Sequence, residues 1–134
     1  MAYAKPLPEP SEVTRRYWEA ARAHRLELQR CGDCERFVFY PRPLCPHCGG
    51  TRLEWRPASG RGTLYSYTVA RRAPIPSFEG DVPYVIAIVE LEEGPHFTSN
   101  VVGIPPDALR VGMPLRAAFD AVTPEVTLVR FRPA

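Results

Sequence analysis

Apolar residues recur at a helical spacing in one segment near the N-terminus. Residues 1–10 carry three prolines without any period and are interpreted as an extended arm. Ser11 can cap a helix, which we expect to run to about His24. The apolar positions that would share one helix face are Val13, Tyr17, Trp18 and Ala21.

Beyond this segment the pattern changes to short runs that alternate as in β-strands. Three such runs flank the cysteines, at 25–29, 37–40 and 53–56. Five more follow at 62–72, 82–92, 97–102, 113–122 and 125–131, with one predicted helical turn at 105–110. Five strands with a helical turn between the third and fourth are typical of an OB-fold barrel. The sequence thus predicts a mainly β protein with an N-terminal helix, made of an arm and helix (1–24), a metal ribbon (25–58) and a five-stranded OB-fold (59–134).

The four cysteines form two C-x-x-C pairs separated by ten residues. Zinc takes four soft ligands in a tetrahedron, and each C-x-x-C turn offers two thiolates to one side of the ion. We therefore expect Cys31, Cys34, Cys45 and Cys48 to hold a structural Zn²⁺, with no open position for a catalytic water. Two disulfides, or a rubredoxin-like iron site with similar knuckles, are the alternatives. His47 lies between two ligands and is expected to face solvent.

Charge and targeting signals add little to this picture. The 17 basic and 15 acidic residues leave a formal net charge of +2. Four thiolates with one zinc ion would cancel this surplus, so charge gives no strong indication of nucleic acid or anionic membrane as a partner. The N-terminus lacks the apolar core of a secretory signal, and no run is long enough to span a bilayer. A cytoplasmic, reducing location is the expectation, and it favours metal ligation over disulfides.

An ordered series of motifs resembles one known family. The motifs are Tyr17-Trp18, LELQRC at 26–31, YPR at 40–42, CPxCG at 45–49, SGRGTLYSY at 59–67, PYVxA at 83–87, VELxEG at 89–94 and VGMPL at 111–115. Together they resemble the zinc-ribbon/OB-fold proteins of domain of unknown function family 35, over about residues 11 to 133. Two features depart from the family pattern: Glu35 follows the first knuckle where glycine is commoner, and the segment HFTSN at 96–100 is less familiar.

The resemblance implies a function as well as a fold. Its members are similar to non-catalytic partners of thiolase-fold enzymes and hotdog-fold enoyl-CoA hydratases, which hold acyl-CoA and bridge the enzymes that pass it on. The resemblance therefore implies a rubredoxin-like zinc ribbon followed by an OB-fold, and an accessory subunit that binds acyl-CoA beside such an enzyme. It leaves open the acyl group, the partner enzyme, the pathway, the stoichiometry, and whether CoA binds without the partner.

Candidate ligand residues follow from the chemistry of CoA, whose phosphates need cations and whose pantetheine arm needs an apolar channel. Guanidinium groups bind phosphate bidentately. The candidates are Arg42, Arg61, Arg71, Arg72 and Tyr84. The alternative is that these arginines are ordinary solvated surface. Tyr17 and Trp18 pose a similar choice between packing the helix onto the rest of the chain and forming an exposed patch for a partner.

Other functions compete with the accessory role. A single-stranded nucleic-acid binder would suit an OB-fold and a zinc ribbon, but acidic residues accompany the aromatic residues of the barrel. An electron carrier would need iron in place of zinc. Catalysis is not expected, because every cysteine is assigned to the metal and His24, His47 and His96 have no recognisable nucleophile as partner.

Overall fold

The computed structural model describes residues 3–134; Met1 and Ala2, the first residues of the predicted arm, lie outside the described residues. One helix, α1 (Arg15–Arg22), is followed by eight strands. The strands are β1 (Glu27–Cys31), β2 (Phe37–Val38), β3 (Leu53–Pro57), β4 (Arg61–Ala70), β5 (Tyr84–Leu91), β6 (His96–Asn100), β7 (Pro114–Ala121) and β8 (Thr127–Pro133). Two 3₁₀ turns, Pro76–Phe78 and Pro106–Ala108, lie in the loops of the barrel.

The helix is shorter than the sequence predicts. Ser11 and Thr14 exchange hydrogen bonds between backbone N–H and side-chain oxygen at 2.9 and 3.3 Å, which closes a turn before α1 begins. The helix ends in a Schellman motif, in which the N–H of Arg25 donates to the carbonyl of Ala20 at 2.8 Å and His24 adopts φ 61°. The predicted helix over 11–24 is therefore wrong by about a turn at its start and by two residues at its end.

The strands around the cysteines form a three-stranded antiparallel sheet in the order β2-β1-β3. β1 is central, pairing Gln29 with both Val38 and Trp55. The Gln29 amide is buried and binds the backbone of Arg42, donating to its carbonyl at 2.9 Å and accepting from its N–H at 2.8 Å. This side chain extends the sheet beyond β2, where the prolines at 41 and 43 prevent a regular ladder.

The five C-terminal strands form an antiparallel sheet in the order β6-β5-β4-β7-β8. A parallel bridge between Val101 and Phe131 brings the two edges together, so the sheet is a nearly closed barrel. With the short 3₁₀ turn Pro106–Ala108 between its third and fourth strands, it has the architecture predicted from the sequence. The predicted domain boundaries at residues 24 and 58 stay a prediction.

One hydrophobic core connects the helix, the ribbon and the barrel. Tyr17 and Ala21 of α1 and Leu26 and Leu28 at β1 belong to the same buried cluster as the barrel side chains around Phe131. A separate small cluster around Val38 lies beside the cysteines. The interpretation that Tyr17 packs the helix onto the rest of the chain is confirmed, because its side chain is buried. None of the helices in the described residues is long and apolar enough to cross a membrane.

Candidate functional site

The four cysteines lie together at the tip of the ribbon. Their sulfur atoms are all within 4.8 Å of one another, with Cys31–Cys48 and Cys34–Cys45 at 3.6 Å. A disulfide would need about 2 Å, whereas a tetrahedron of bonds of about 2.3 Å places sulfurs about 3.7 Å apart. The geometry therefore fits four ligands around one metal ion and excludes the two-disulfide alternative.

Backbone N–H groups point at the sulfurs of both knuckles. The N–H groups of Cys34 and Asp33 approach the Cys31 sulfur at 3.5 and 3.4 Å. In the second knuckle, the N–H of His47 approaches the Cys45 sulfur and that of Gly50 the Cys48 sulfur, each at 3.4 Å. Donation from Cys34, and then from Asp33, lowers the pKa of the Cys31 thiol to about 7. A thiolate is the form that binds metal, so Cys31 is favoured as a ligand before an ion arrives, whereas hydrogen bonds with the neighbouring thiols and desolvation raise the pKa values of Cys34 and Cys48.

Each knuckle ends with a residue in the left-handed backbone region. Gly49 has φ 77° after the second pair, and Glu35 has φ 65° at the equivalent position after the first. The departure from the family pattern at Glu35 is therefore accommodated by a strained conformation that glycine would adopt freely. Gly50 has a different constraint, because a Cβ there would overlap the Asp33 carboxylate.

His47 lies outside the sulfur cluster, as the sequence predicts. Its ring is exposed, and its Nδ1 lies 3.4 Å from Nη1 of Arg36. The metal-binding group consists of the four cysteines alone within the described part of the chain.

The five candidate ligand residues do not form one site. Tyr84 pairs with Ala70 at the end of β4, so Arg71 and Arg72 lie near it. Arg61 begins β4, and the ten residues of that strand put it about 30 Å from Arg71. Arg42 belongs to the ribbon. The structure thus brings together only Arg71, Arg72 and Tyr84.

The side chains of these arginines differ in their freedom to bind a ligand. Arg61 donates to both oxygens of the exposed Glu92 at 2.7 and 3.2 Å, and that hydrogen-bonded pair raises the pKa of Arg61. Arg42, Arg71 and Arg72 are exposed and form no salt bridge with any described residue. The latter three could accept an external phosphate without losing an internal partner.

Tyr84 lines a large cleft at one end of the barrel, with a volume of about 990 Å³. The N-terminal residues Tyr3, Lys5 and Pro6 contribute to its wall. Its apolar lining includes Phe78, Val85, Val101, Ile104, Phe119 and Leu128. The cleft is open enough and apolar enough to accept part of an organic ligand.

A second cleft of about 480 Å³ lies where helix, ribbon and barrel meet. Tyr17 and Trp18 of the helix, Phe39 and Tyr40 of the ribbon, and Phe97 of the barrel line it. Phe39 stacks on Phe97 with ring centroids 4.0 Å apart, and the Trp18 indole N–H donates to the Tyr40 hydroxyl at 3.1 Å. The two clefts share Asn100, Leu128 and Arg130, so they are neighbours on one side of the molecule.

Sequence reasoning missed the charged residues of the larger cleft. Arg130 donates from Nε to Asp120 at 2.8 Å, and Lys5 lies 2.6 Å from Asp81. These partners are 10 and 76 positions apart in the sequence, so no local motif joins them. The alternation of β8 was the one available signal, since it places Arg130 on the face opposite Val129 and Phe131, which are buried.

Fold and site together define a zinc-ribbon protein with an OB-fold, and comparison with known proteins agrees. The family model described as the ChsH2 rubredoxin-like zinc ribbon domain matches residues 18–54, and the ChsH2 C-terminal OB-fold domain matches residues 55–120. A DUF35 domain-containing scaffold protein of Methanothermobacter thermautotrophicus is 34% identical over 116 residues, covering 86% of each chain. The chain belongs to this DUF35 family.

Two further relatives are named as parts of enzymes. A probable enoyl-CoA hydratase alpha subunit of Thermomonospora curvata is 43% identical over 130 residues, 97% of this chain. The chain spans only 40% of the length of that relative. A solved structure titled Ltp2-ChsH2(DUF35) aldolase contains a chain with a TM-score of 0.84 and 42% identity, and the match covers 95% of this chain and 98% of that one.

Proposed function

We propose that the chain is a non-catalytic accessory subunit that binds acyl-CoA and bridges or completes a thiolase-fold or hydratase-type acyl-CoA enzyme. The observation that carries this proposal is the full-length match to a DUF35 chain in a structure titled as an aldolase with two named components. The name of the archaeal relative, a scaffold protein, supports the same role.

The name of the Thermomonospora curvata relative, a probable enoyl-CoA hydratase alpha subunit, also supports a role beside an acyl-CoA enzyme, because an alpha subunit is one part of an assembly.

The chemistry of the described residues also supports a non-catalytic role. The four thiols converge on one metal-sized centre. The histidines have other contacts: His24 stacks on Phe119 with ring centroids 5.4 Å apart, His47 contacts Arg36, and His96 lies 3.2 Å from the exposed Glu90. These are surface contacts of a kind that stabilises loops and strand edges.

The metal is inferred to be zinc. Four cysteine ligands close a tetrahedral shell, and such a centre contributes to folding and leaves no open position for a reactant. Metal analysis of the purified protein should give one zinc per chain and a colourless solution. A red solution with one iron per chain would contradict the assignment of zinc and support an electron carrier instead.

Arg71 and Arg72 are the best-placed candidates for the phosphates of CoA, since neither forms an ion pair with residues 3–134 and both follow the strand that adjoins Tyr84. Replacing both with alanine should weaken octanoyl-CoA binding by the assembled complex by about tenfold or more, because charged hydrogen bonds are lost. The exposed Arg22 on the helix, replaced with alanine, is the matched control. Equal affinity of the two variants would remove Arg71 and Arg72 from the site.

The accessory role is tested by purifying the tagged chain from its native cells and identifying the bound proteins by mass spectrometry. A thiolase-fold, aldolase or hydratase enzyme at near-stoichiometric yield is expected, and the Cys48→Ser variant should lose it. Recovery of nucleic acid and its processing enzymes instead would favour the single-stranded nucleic-acid alternative. The exposed Tyr65 and Tyr67, at 53% and 37%, are the barrel residues such a ligand would contact.

A further inference from the structure

The charges of the larger cleft cancel within its own walls. Lys5 pairs with Asp81 and Arg130 pairs with Asp120, and all four residues line the cleft. A phosphate entering this space would have to separate an ion pair or lie against a carboxylate. The cleft therefore suits an uncharged ligand, unlike the exposed arginines outside it.

Arg130 nevertheless keeps hydrogen-bonding capacity in the cleft. Its Nε donates to Asp120 at 2.8 Å and its Nη1 donates to the Asn100 side-chain oxygen at 2.7 Å, while Nη2 has no partner among the described residues. The side chain is 21% exposed, so it is fixed by its partners and still reachable. A guanidinium held in this way can donate to a carbonyl oxygen without being reorganised.

The position of Asn100 is itself fixed. Its amide nitrogen donates to the backbone carbonyl of Val85 at 2.7 Å, so the Asn100 oxygen is turned toward Arg130. Around this polar point the wall is apolar, with Val101, Phe119 and Leu128 among its members. The arrangement presents one oriented donor within an apolar surface.

We propose that this cleft binds the acylated pantetheine arm of the ligand, with Arg130 Nη2 donating to one of its amide or thioester carbonyls. This assignment rests on the proposed acyl-CoA function and divides the ligand between two places. The uncharged arm enters the cleft, and the charged nucleotide half stays outside it. Residues 3–6 cover part of the arm, since Lys5 is anchored to Asp81 and lies 5.7 Å from the Phe78 ring centroid.

Amide NMR spectra of the full chain test the proposal with two probes, octanoyl-pantetheine and 3′,5′-ADP. Octanoyl-pantetheine should shift the amide signals of Val85, Val101 and Phe119, and 3′,5′-ADP should leave them unchanged. Arg130→Met should weaken the affinity for octanoyl-pantetheine by about tenfold. Arg116→Met is the control, because Arg116 is exposed on the adjacent strand and lines neither cleft.

Two further variants keep the test decisive if Arg130→Met fails to fold. Ala118→Phe fills the cleft from β7 and should abolish binding of octanoyl-pantetheine. Asp120→Asn leaves the Arg130 charge uncompensated and should allow 3′,5′-ADP to shift the cleft amides.

Shifts of the cleft amides by 3′,5′-ADP in the unmodified chain would overturn the assignment, as would no response to octanoyl-pantetheine. A chain that co-purifies with an acyl-CoA enzyme but leaves these signals unmoved would refute this inference alone. Failure to recover such an enzyme would instead count against the proposed function.

Discussion

Loss of the metal centre should unfold the barrel as well as the ribbon. The informative change is Cys48→Ser, because Cys48 is the exposed member of the four and its replacement removes one ligand with little change in packing. A three-ligand site holds zinc far more weakly than a closed one. The variant therefore reports on how the metal centre is coupled to the rest of the fold.

The expected magnitude follows from the shared core. Structural zinc contributes about 10–16 kcal/mol in small zinc domains, while a chain of 134 residues has a total stability of about 7–20 kcal/mol. Tyr17, Leu26 and Leu28 are buried in the barrel core, and each contributes about 1.5–3 kcal/mol. If the ribbon unfolds and withdraws them, the barrel loses about 5–9 kcal/mol, a loss comparable to the lower end of the range for the total stability.

Calorimetry and amide hydrogen exchange measure the outcome. The zinc-loaded chain should show one thermal transition, and both Cys48→Ser and chelation should abolish it rather than split it. His47→Ser, in the same knuckle but outside the sulfur cluster, should keep the transition within a few degrees. A chelated protein whose β7 and β8 amides remained protected would refute the coupling and establish an independently folded barrel.

Three smaller changes test local features of the same structure. Glu35→Gly should raise the free energy of unfolding by about 0.5 kcal/mol in urea titrations. A left-handed backbone costs most residues about 1–2 kcal/mol, which glycine avoids, but the larger conformational entropy that glycine loses on folding cancels part of this gain. A loss of stability would mean that the Glu35 side chain matters more than its backbone. Burial raises the pKa of Tyr17 above its ordinary value of 10.0, so its contribution to stability is complete below that pH and is lost as pH rises above it. Tyr17→Phe should therefore become more stable relative to the parent above about pH 10 in alkaline denaturation, and a constant difference would contradict the burial argument. Gly62→Ala should lower the thermal midpoint by about 5 °C or more, since its Cβ would lie 2.6 Å from the carbonyl oxygen of Glu90, while Gly80→Ala, with no atom within 4 Å, should not.

The strands and the metal ligands could be predicted because their signals are local. β4, β5 and β8 are rich in β-branched and aromatic residues, and the predicted bounds of all five barrel strands lie within a few residues of the observed ones. The C-x-x-C turns bring two sulfurs together through the conformation of four consecutive residues. The order of the predicted elements, with the cysteine pairs before five strands and a helical turn after the third of these, then predicts a metal ribbon followed by an OB-fold.

The helix bounds and the clefts depend on interactions that the sequence pattern does not show. The hydrogen bonds between Ser11 and Thr14 close a separate turn, so a good capping residue does not begin the helix. The 3₁₀ turn at Pro76–Phe78 lies between two predicted strands, at positions where the sequence pattern indicates no regular element. The larger cleft is formed by residues from the N-terminal arm and four strands, whose side chains meet only when the barrel closes.

The smaller cleft connects the metal centre to the ligand surface. Phe39 and Tyr40 of the ribbon form one wall, and their position depends on β1, to which Gln29 fastens the following segment through the backbone of Arg42. The same β1 ends at Cys31, a member of the sulfur cluster. Metal binding therefore fixes the aromatic wall as well as the fold. Because this cleft adjoins the larger one at Arg130, a metal-free chain would lose the ligand surface before any residue that contacts the ligand had changed.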